Sequence, residues 1–315
     1  RLYRMHEMDE PLLAEGSEEH WTFWNKVQNR YKYVDNVASN RNLARSIKAA
    51  YYGTISFVDY NIGRILDALG SEIDNTLIVF TSDHGELLGD FGCYGKRSML
   101  DPSARVPMIA RLPGSFPDNH RCDTPTTLLD LFPTFISFAG SPDERPSDEG
   151  ISLMEAMDDS NKDRIVFSQF SQNHLGLYMA ANRKWKYIYS AADNKEWLFD
   201  LANDPYEIVN RKDDPSCLSQ LQVLKEASIQ RFKTDGYLNP LDGDDWKHFT
   251  PPVQPALNSD DGQLFQDPDA LEKQIEALGI YARSTEFTKD KRFGLLERLF
   301  DASRQTTESL PDPKL

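Results

Sequence analysis

The residues with the clearest chemical potential lie in one polar segment, residues 82–97. Asp83 and His84 are adjacent, and a carboxylate oxygen and an imidazole nitrogen can both bind a divalent cation when other ligands join them. Lys96 is a compact cation on a flexible side chain, which suits it to a tetrahedral oxyanion. Gly85 follows the pair and allows backbone or ligand to approach closely. This combination predicts part of a site for a metal ion and an oxyanion.

The position of this segment after a predicted strand favours a functional role. Residues 76–81 form an unbroken apolar run, typical of a strand buried on both faces, as in a parallel sheet. In such sheets, functional groups gather at the carboxyl ends of the strands, where Asp83 and His84 stand. The alternative is structural, because an Asp after a strand often caps a turn and a lysine in a polar loop is often only solvated.

Hydrophobic patterning predicts the elements that hold this segment. Apolar residues at steps of three and four predict a core-facing amphipathic helix over residues 42–70, closed by Gly70. Residues 106–112 form a second apolar run, and a helix is predicted from residue 123 to residue 139. A helix followed by a short turn and a buried strand is typical of an α/β layer fold.

The second half of the chain has a different pattern. Residues 141–150 are rich in Pro, Ser and acidic residues and are interpreted as a linker. A helix is expected near residues 219–233. Between them, four short apolar and aromatic segments at hairpin spacing predict a small antiparallel sheet, formed by residues 165–167, 177–180, 185–189 and 197–201.

These patterns divide the chain into three parts. Residues 1–150 are the α/β part, residues 151–235 are the small sheet with its helix, and residues 236–315 are an irregular and helical C-terminal extension. Within the extension, residues 236–268 should be irregular because they are rich in Asp, Pro and Gly. Short helices are expected at residues 270–278 and 293–302.

Composition and charge exclude several classes of partner. The chain has 35 basic and 50 acidic side chains and a formal net charge of −15. Such a surface repels nucleic acid and anionic lipid, although the local field of a cleft can still favour an anionic substrate. No run approaches the roughly 20 apolar residues of a membrane helix. Cys93, Cys122 and Cys217 form neither a disulfide framework nor a zinc pattern.

Several motifs occur in the order of a known family. Ser-Asp-His-Gly-Glu at residues 82–86, then Lys96 and Pro-Ser-Ala-Arg-Val-Pro at residues 102–107, resemble the second half of type I sulfatases, in the alkaline phosphatase superfamily. Within that family the chain looks most like the choline-sulfatase and phosphonate-monoester-hydrolase branch. The other matches are the preceding helix at residues 51–69, Asp-Leu-Phe-Pro-Thr at 130–134, Gly-Ile-Ser-Leu at 150–153, Trp-Lys-Tyr-Ile at 185–188, Leu-Phe-Asp-Leu at 198–201 and Asp-Pro-Tyr-Glu at 204–207.

The resemblance implies a fold. That fold is a three-layer α/β sandwich around a large mixed sheet, with a small C-terminal antiparallel α+β subdomain. Residues 1–150 would then be the C-terminal part of the catalytic α/β domain.

The resemblance also implies an activity, the hydrolysis of a sulfate ester through a formylglycine nucleophile and a divalent metal. The metal would be Ca²⁺, with Mn²⁺ or Mg²⁺ as alternatives, and Asp83 and His84 would supply two of its ligands. Lys96 would bind the sulfate group and neutralise its charge during catalysis. The expected substrate is a small sulfated molecule, for example a sulfated carbohydrate. Arg97 and His174 are further candidates for substrate binding.

The chain departs from the family at the nucleophile. In the family, formylglycine is made from Cys or Ser in a C/S-x-P/A-x-R motif, and none of the three cysteines stands in one. The family's early paired aspartates are also absent. We therefore expect the nucleophile to lie in an N-terminal part outside this chain, which alone should be inactive and bind metal weakly. The compartment stays open, with a periplasmic or secreted location favoured over a cytoplasmic one.

Two other functions remain open at this point. One is a phosphate or phosphonate ester hydrolase of the same superfamily, because phosphonate hydrolases share the pair that Asp83 and His84 form in place of Asp-Asn. The other is a catalytically inactive relative that binds sulfated glycans. A homo-oligomer is also open, since in relatives of choline sulfatase a C-terminal tail can reach the active site of a neighbouring subunit.

Overall fold

The structure, a computed structural model, describes residues 3–13, 17–31, 41–140 and 150–252. Its helices are α1 Phe23–Tyr31, α2 Arg41–Leu69, α3 Asp101–Ala104, α4 Leu131–Phe138, α5 Leu153–Ala156 and α6 Leu218–Thr234. Its strands are β1 Ile78–Thr81, β2 Met108–Arg111, β3 Val166–Phe170, β4 Leu177–Ala181, β5 Trp185–Ser190, β6 Lys195–Asp200, β7 Leu241–Asp242 and β8 Asp245–Trp246. The predicted linker and the two predicted helices near the C-terminus lie outside the described residues.

The small antiparallel sheet is confirmed. Strands β3, β4, β5 and β6 are neighbours in chain order, and each adjacent pair is antiparallel. The helix predicted after it is confirmed as α6. One face of the sheet packs against α6, because successive side chains of a strand point to opposite faces. That core contains Tyr178, Tyr187 and Tyr189 from the strands and Leu224 and Ile229 from the helix.

The opposite face of the small sheet packs against the chain segment that contains the candidate site. Leu177, Ile188 and Phe199 of the strands form one hydrophobic cluster with Leu87 and Met99. Leu87 lies within the polar segment identified in the sequence, and Met99 lies two residues after it. The small sheet is therefore the platform on which residues 87–100 rest.

Residues 236–252, the described part of the stretch predicted to be irregular, are mostly loop and turn, with one short hairpin that the sequence pattern did not indicate. Strands β7 and β8 form a short hairpin, and Trp246 of β8 is buried at 3% exposure. The Trp246 ring stacks 4.5 Å from that of Tyr189, and its Nε1 donates to the Tyr187 hydroxyl at 2.7 Å. Two-residue strands show no periodicity, so the sequence pattern could not indicate them.

The strand predicted at residues 76–81 forms as β1, but its expected surroundings are wrong. It pairs antiparallel with β2, and neither strand is buried on both faces, since Phe80 and Ile109 are 38% and 61% exposed. Within the described ranges these two strands pair only with each other. An apolar run shows that both faces of a strand can be buried. Whether they are buried depends on the elements that pack against those faces.

Helix α2 confirms the predicted period and ends at Leu69, with Gly70 at a φ of +53°. The expectation that its apolar face lies in the core is confirmed only near its start, where Leu43 is buried. Further along, Ile55 and Ile65 are 50% and 64% exposed. The periodicity fixes which side chains share a face, whereas burial depends on a neighbour that must be contributed by another element. No helix in the described ranges is long and apolar enough to cross a membrane.

The helix predicted from residue 123 begins later, with a single 3₁₀ turn followed by α4. Thr127 sets this start, because its hydroxyl accepts from Leu129 N at 2.9 Å and its own N donates to Asp130 at 2.8 Å. This reciprocal pair is a capping box, which competes with helix continuation upstream. The predicted end is confirmed, with Gly140 at a φ of +83°.

Candidate metal and anion site

The three strongest candidates from the sequence meet in the structure. Lys96 Nζ donates to His84 Nε2 at 2.6 Å, and that nitrogen lies 3.2 Å from Asp83 Oδ2. Asp83 is exposed and His84 is partly exposed. The cluster therefore joins a carboxylate, an imidazole and an ammonium group at a point that solvent can reach.

The imidazole of His84 is held in one orientation. Its Nδ1 lies 3.0 Å from the carbonyl oxygen of Gly85, which can only accept, so Nδ1 carries the proton. The lone pair of Nε2 in the neutral ring is then directed at Lys96. This is also the arrangement in which proteins present histidine to a metal ion.

The electrostatics of the cluster favour an ionised Asp83. Desolvation is the largest single influence on its pKa and acts to raise it. The backbone N–H of His84, which donates to Oδ1 at 2.9 Å, and the nearby positive charge of Lys96 help to outweigh desolvation, so the pKa of Asp83 is lowered. The Asp83 side chain is therefore a carboxylate anion at neutral pH.

Two stretches of backbone form the cluster, and Glu86 joins them. We call residues 82–88 the metal arm and residues 93–97 the lysine arm. Leu87 N donates to the carbonyl of Gly95 at 3.0 Å, and the Glu86 carboxylate accepts from Gly95 N. These bonds hold the two arms side by side.

Helix α3 contacts both arms. The carbonyl of Ser103 accepts from Gly85 N at 2.7 Å, and that of Pro102 accepts from Glu86 N at 2.8 Å. The Ser103 hydroxyl donates to the carbonyl of Lys96 at 2.6 Å. A Cβ atom on Gly85 would lie 2.1 Å from the Pro102 oxygen, so this contact requires glycine.

Arg97 lies beside the cluster and packs on aromatic rings. Its guanidinium carbon is 5.5 Å from the centre of the Trp24 ring and 5.7 Å from that of Phe170. Burial lowers the pKa of Arg97. The Trp24 contact was missed in the sequence analysis, because contacts between residues so far apart leave no local pattern.

His174 is exposed on a 3₁₀ turn between β3 and β4. Its ring centre is 6.3 Å from that of Phe249. The next residue, Leu175, accepts from Trp24 Nε1 at 2.8 Å, which connects this turn to the ring beside Arg97. The role of His174 and Arg97 in substrate binding remains a prediction.

The donor set at the cluster fits part of a metal coordination shell. An oxygen of Asp83 and the ammonium group of Lys96, itself a cation, both lie next to His84 Nε2. Ca²⁺ takes about six to eight ligands, mostly oxygens. Among the described residues, no group of three or more His, Cys, Asp or Glu side chains could hold a metal. Further ligands are therefore needed beside Asp83 and His84.

Two family models match the chain. The model described as Sulfatase matches residues 16–141. The model described as N-sulphoglucosamine sulphohydrolase, C-terminal, matches residues 89–234. The two matches overlap at the lysine arm and α3, and together they include every candidate site residue.

Individual relatives agree with the family models. A choline-sulfatase of Rhizobium meliloti (strain 1021) is 37% identical over 183 residues, which are 56% of this chain and 35% of that protein. A solved structure in complex with its substrate D-glucosamine-2-N,6-O-disulfate is 27% identical, with a TM-score of 0.54 over 63% of this chain and 42% of the other. A phosphonate monoester hydrolase from Silicibacter pomeroyi shares the fold, with a TM-score of 0.64 at 24% identity over 76% of this chain and 54% of its own. The chain spans about a third to a half of the length of the curated relatives it matches.

Proposed function

Because the chain belongs to the sulfatase family of the alkaline phosphatase superfamily, we propose that the protein hydrolyses sulfate esters and that Asp83, His84 and Lys96 form part of its metal and sulfate site. The contact of 2.6 Å between Lys96 Nζ and His84 Nε2, next to Asp83, carries this proposal. It brings a metal-ligand pair and an anion-binding cation together within a region that matches the family.

Each residue of the cluster has a role that follows from its chemistry. Asp83 and His84 would hold a divalent cation, Ca²⁺ by family resemblance or Mn²⁺ or Mg²⁺ as alternatives. When bound, such an ion polarises the oxygens of a sulfate ester and stabilises negative charge. Lys96 would bind a sulfate oxygen as a point charge and neutralise charge that develops there. No cysteine of this chain stands in a formylglycine motif, so these residues are assigned to binding and not to nucleophilic attack.

The substrate class is a small sulfated molecule, with sulfated carbohydrates as the first choice. A related solved structure holds a sulfated glucosamine as its substrate. In this chain, Lys96 and the half-buried Arg97 provide local positive charge on a molecule whose net charge is −15. A local field of this sign selects an anionic group despite the overall repulsion.

The binding roles can be tested on this chain with Mn²⁺ as a spectroscopic probe and inorganic sulfate as the anion. His84→Ala should weaken Mn²⁺ binding about tenfold or more. Lys96→Ala should weaken sulfate binding about tenfold and leave Mn²⁺ binding intact or stronger, because it removes a competing cation. Lys212→Ala is the matched control, since this partly exposed lysine pairs with Asp213 and should change neither affinity. Equal effects of all three variants would contradict the assignment.

The activity can be tested by comparing sulfate and phosphonate monoesters as substrates of the full-length protein. Faster turnover of sulfate esters supports the proposal. Preference for phosphonate esters would assign the cluster to the alternative hydrolase. Binding of a sulfated sugar without turnover would indicate an inactive relative.

A further inference from the structure

Three charged side chains form a buried triad beneath α3. Lys186 on β5 contacts the carboxylate of Asp101, and its Nζ lies 2.6 Å from Glu207 Oε1. The side chains of Lys186 and Glu207 are 3% and 0% exposed. Asp101 N also donates to Glu207 Oε2 at 2.5 Å. All three members are thus connected directly.

The triad depends on the lysine for its charge balance. Two carboxylates share one buried ammonium group, whereas Arg105 pairs with Asp101 from the exposed side at 3.3 Å. Burial raises the pKa of Glu207, and the charge of Lys186 opposes that rise. Without Lys186, Asp101 and Glu207 would face each other as acidic groups, with the Glu207 side chain fully buried and that of Asp101 only 18% exposed. Removing one partner of a buried ion pair is strongly unfavourable for this reason.

The triad acts on the first residue of α3. Asp101 begins this helix, whose next two residues accept the hydrogen bonds from Gly85 and Glu86 described above. The Ser103 hydroxyl of the same turn holds the carbonyl of Lys96. Helix α3 therefore adds a second connection between the metal arm and the lysine arm, beside the direct bonds of Gly95 with Leu87 and Glu86.

The triad also gives a structural reason for two family-like motifs that have no role in the proposed function, Trp-Lys-Tyr-Ile at residues 185–188 and Asp-Pro-Tyr-Glu at residues 204–207. Alternation along β5 puts Lys186 on the same face as Ile188, toward the segment that bears the site. Glu207, the last residue of Asp-Pro-Tyr-Glu, has a φ of +57°. A residue other than glycine is strained at this positive φ, so the surroundings of Glu207 must stabilise its backbone conformation. The two motifs meet at the Lys186–Glu207 contact.

We propose that Lys186 is a positioning residue, which holds α3 through Asp101 and Glu207 and thereby fixes the separation of His84 and Lys96. Lys186 lies beneath the site and acts only through α3. The functional meaning of this separation rests on the proposed function. The positioning of α3 by Lys186 is a property of the fold and does not depend on that function. It extends the site to the small sheet.

The experiment is amide hydrogen exchange of the full chain, comparing Lys186→Met with Arg164→Met. Arg164 pairs with the buried Asp130 at 2.9 Å and 3.1 Å and makes none of the α3 contacts, so it is a matched control for losing a buried ion pair. In Lys186→Met, exchange at Gly85 and Glu86 should be about tenfold faster or more, and in Arg164→Met it should stay within about threefold. Inorganic sulfate affinity should fall in the first variant only.

Faster exchange confined to Lys186→Met supports the proposal, and unchanged exchange, or an equal increase in Arg164→Met, would overturn it. If Lys186→Met does not fold, Lys186→Gln replaces it, since glutamine keeps a hydrogen-bond donor at this position but removes the charge that pairs with Asp101 and Glu207. The same two outcomes then apply to Lys186→Gln. The exchange measurement requires neither sulfate nor turnover, so it separates failure of this inference from failure of the proposed sulfatase function.

Discussion

The chemistry of His84 is determined by the residue that follows it. The Gly85 carbonyl accepts a hydrogen bond from His84 Nδ1, and the absence of a Cβ lets the Gly85 backbone reach Pro102. A single glycine therefore orients the imidazole and connects the metal arm to α3. This double role makes Gly85 as important to the site as the residues that would contact ligand.

Replacing Gly85 with alanine should disturb the site from within. The new Cβ would stand 2.1 Å from the Pro102 oxygen, so backbone must move, and overpacking of this kind costs about 1–3 kcal/mol of stability. We expect Mn²⁺ and sulfate affinities to fall together. Urea denaturation and the two titrations measure these effects.

The control for this prediction is Gly53→Ala in α2. A Cβ at Gly53 would meet nothing within 4 Å, and alanine favours a helix over glycine by about 1 kcal/mol. This variant should be more stable and bind both ligands normally. A stable Gly85→Ala protein with unchanged affinities would contradict the role given to Gly85.

At this scale the sequence predicts which side chains belong to the site but not all their contacts. Asp83, His84 and Lys96 stand in a short motif, and the structure brings them together. Arg97 was found by proximity in sequence, yet its packing against Trp24 joins distant parts of the chain. The charge of Lys186 gave no local sign of its partners, since burial is a property of the folded sheet.

At the scale of elements, two of the family-like motifs dock onto each other. Asp130 accepts from Ile151 N at 2.9 Å, and the Thr134 hydroxyl accepts from Leu153 N at 2.9 Å. Gly150 permits the approach, because a Cβ there would lie 2.5 Å from the Leu129 oxygen. The start of α4 thus binds the turn that leads into the small sheet.

Asp130→Ala should be among the most destabilising single changes in this region. Its buried carboxylate receives Arg164 through two bonds, at 2.9 Å and 3.1 Å, and the variant leaves that guanidinium without its partner. Breaking a buried pair in this way costs about 3–5 kcal/mol. Urea denaturation measures this loss of stability.

The control is Asp74→Ala, which breaks the exposed pair with Arg111 and should cost less than about 1 kcal/mol. Similar losses in the two variants would count against the docking role.

A pH-dependent contribution is expected at the start of α6. Asp214 accepts from the Ser216 N–H and hydroxyl at 2.9 Å and 2.7 Å, and the side-chain bond is the main reason that the pKa of Asp214 is lowered. Its stabilising effect is fully present above the carboxyl pKa of about 3.9 in the unfolded chain. It is lost as the pH falls through the lower folded pKa.

The free energy of unfolding of wild type and Asp214→Asn, measured from pH 7 to pH 2, tests this contribution. Asparagine is an equally good cap but carries no charge, so the difference between the two proteins should shrink below about pH 4. Ser216→Ala should reduce the pH dependence, because it removes the hydroxyl donor. A difference that is constant over the whole range would contradict the assignment.

Elements whose hydrophobic alternation or periodicity lies within their own sequence could be predicted. The burial of an element that depends on packing against other parts of the molecule could not. The four-stranded sheet and α6 carry their own alternation and periodicity, and each covers the other. Helix α2 shows an equally clear period, but its burial depends on other elements. The hairpin around Trp246 is too short for any pattern and depends on one aromatic side chain that fills the core of the sheet.

At the scale of the whole molecule, the small sheet has two different functions on its two faces. One face packs with α6 and Trp246 into an aromatic core. The other supports residues 87–100 and contributes Lys186 to the buried triad. The candidate site is therefore part of a contact between the small sheet and the segment after β1, and a disturbance of either should reach it.

The apolar side chains outside these cores predict how the 315-residue chain behaves in solution. Phe57 on α2, Ile109 on β2 and Phe132 on α4 are 68%, 61% and 50% exposed. Soluble monomers rarely leave large apolar patches in water, and such surfaces drive association. The chain should bind the dye ANS and form larger species as its concentration rises, measured by fluorescence and by light scattering after size exclusion. Ile109→Glu should reduce both effects, and Leu238→Glu, at an exposed residue on the small-sheet side, should leave them unchanged. A monomer at all concentrations that does not bind the dye would contradict the prediction.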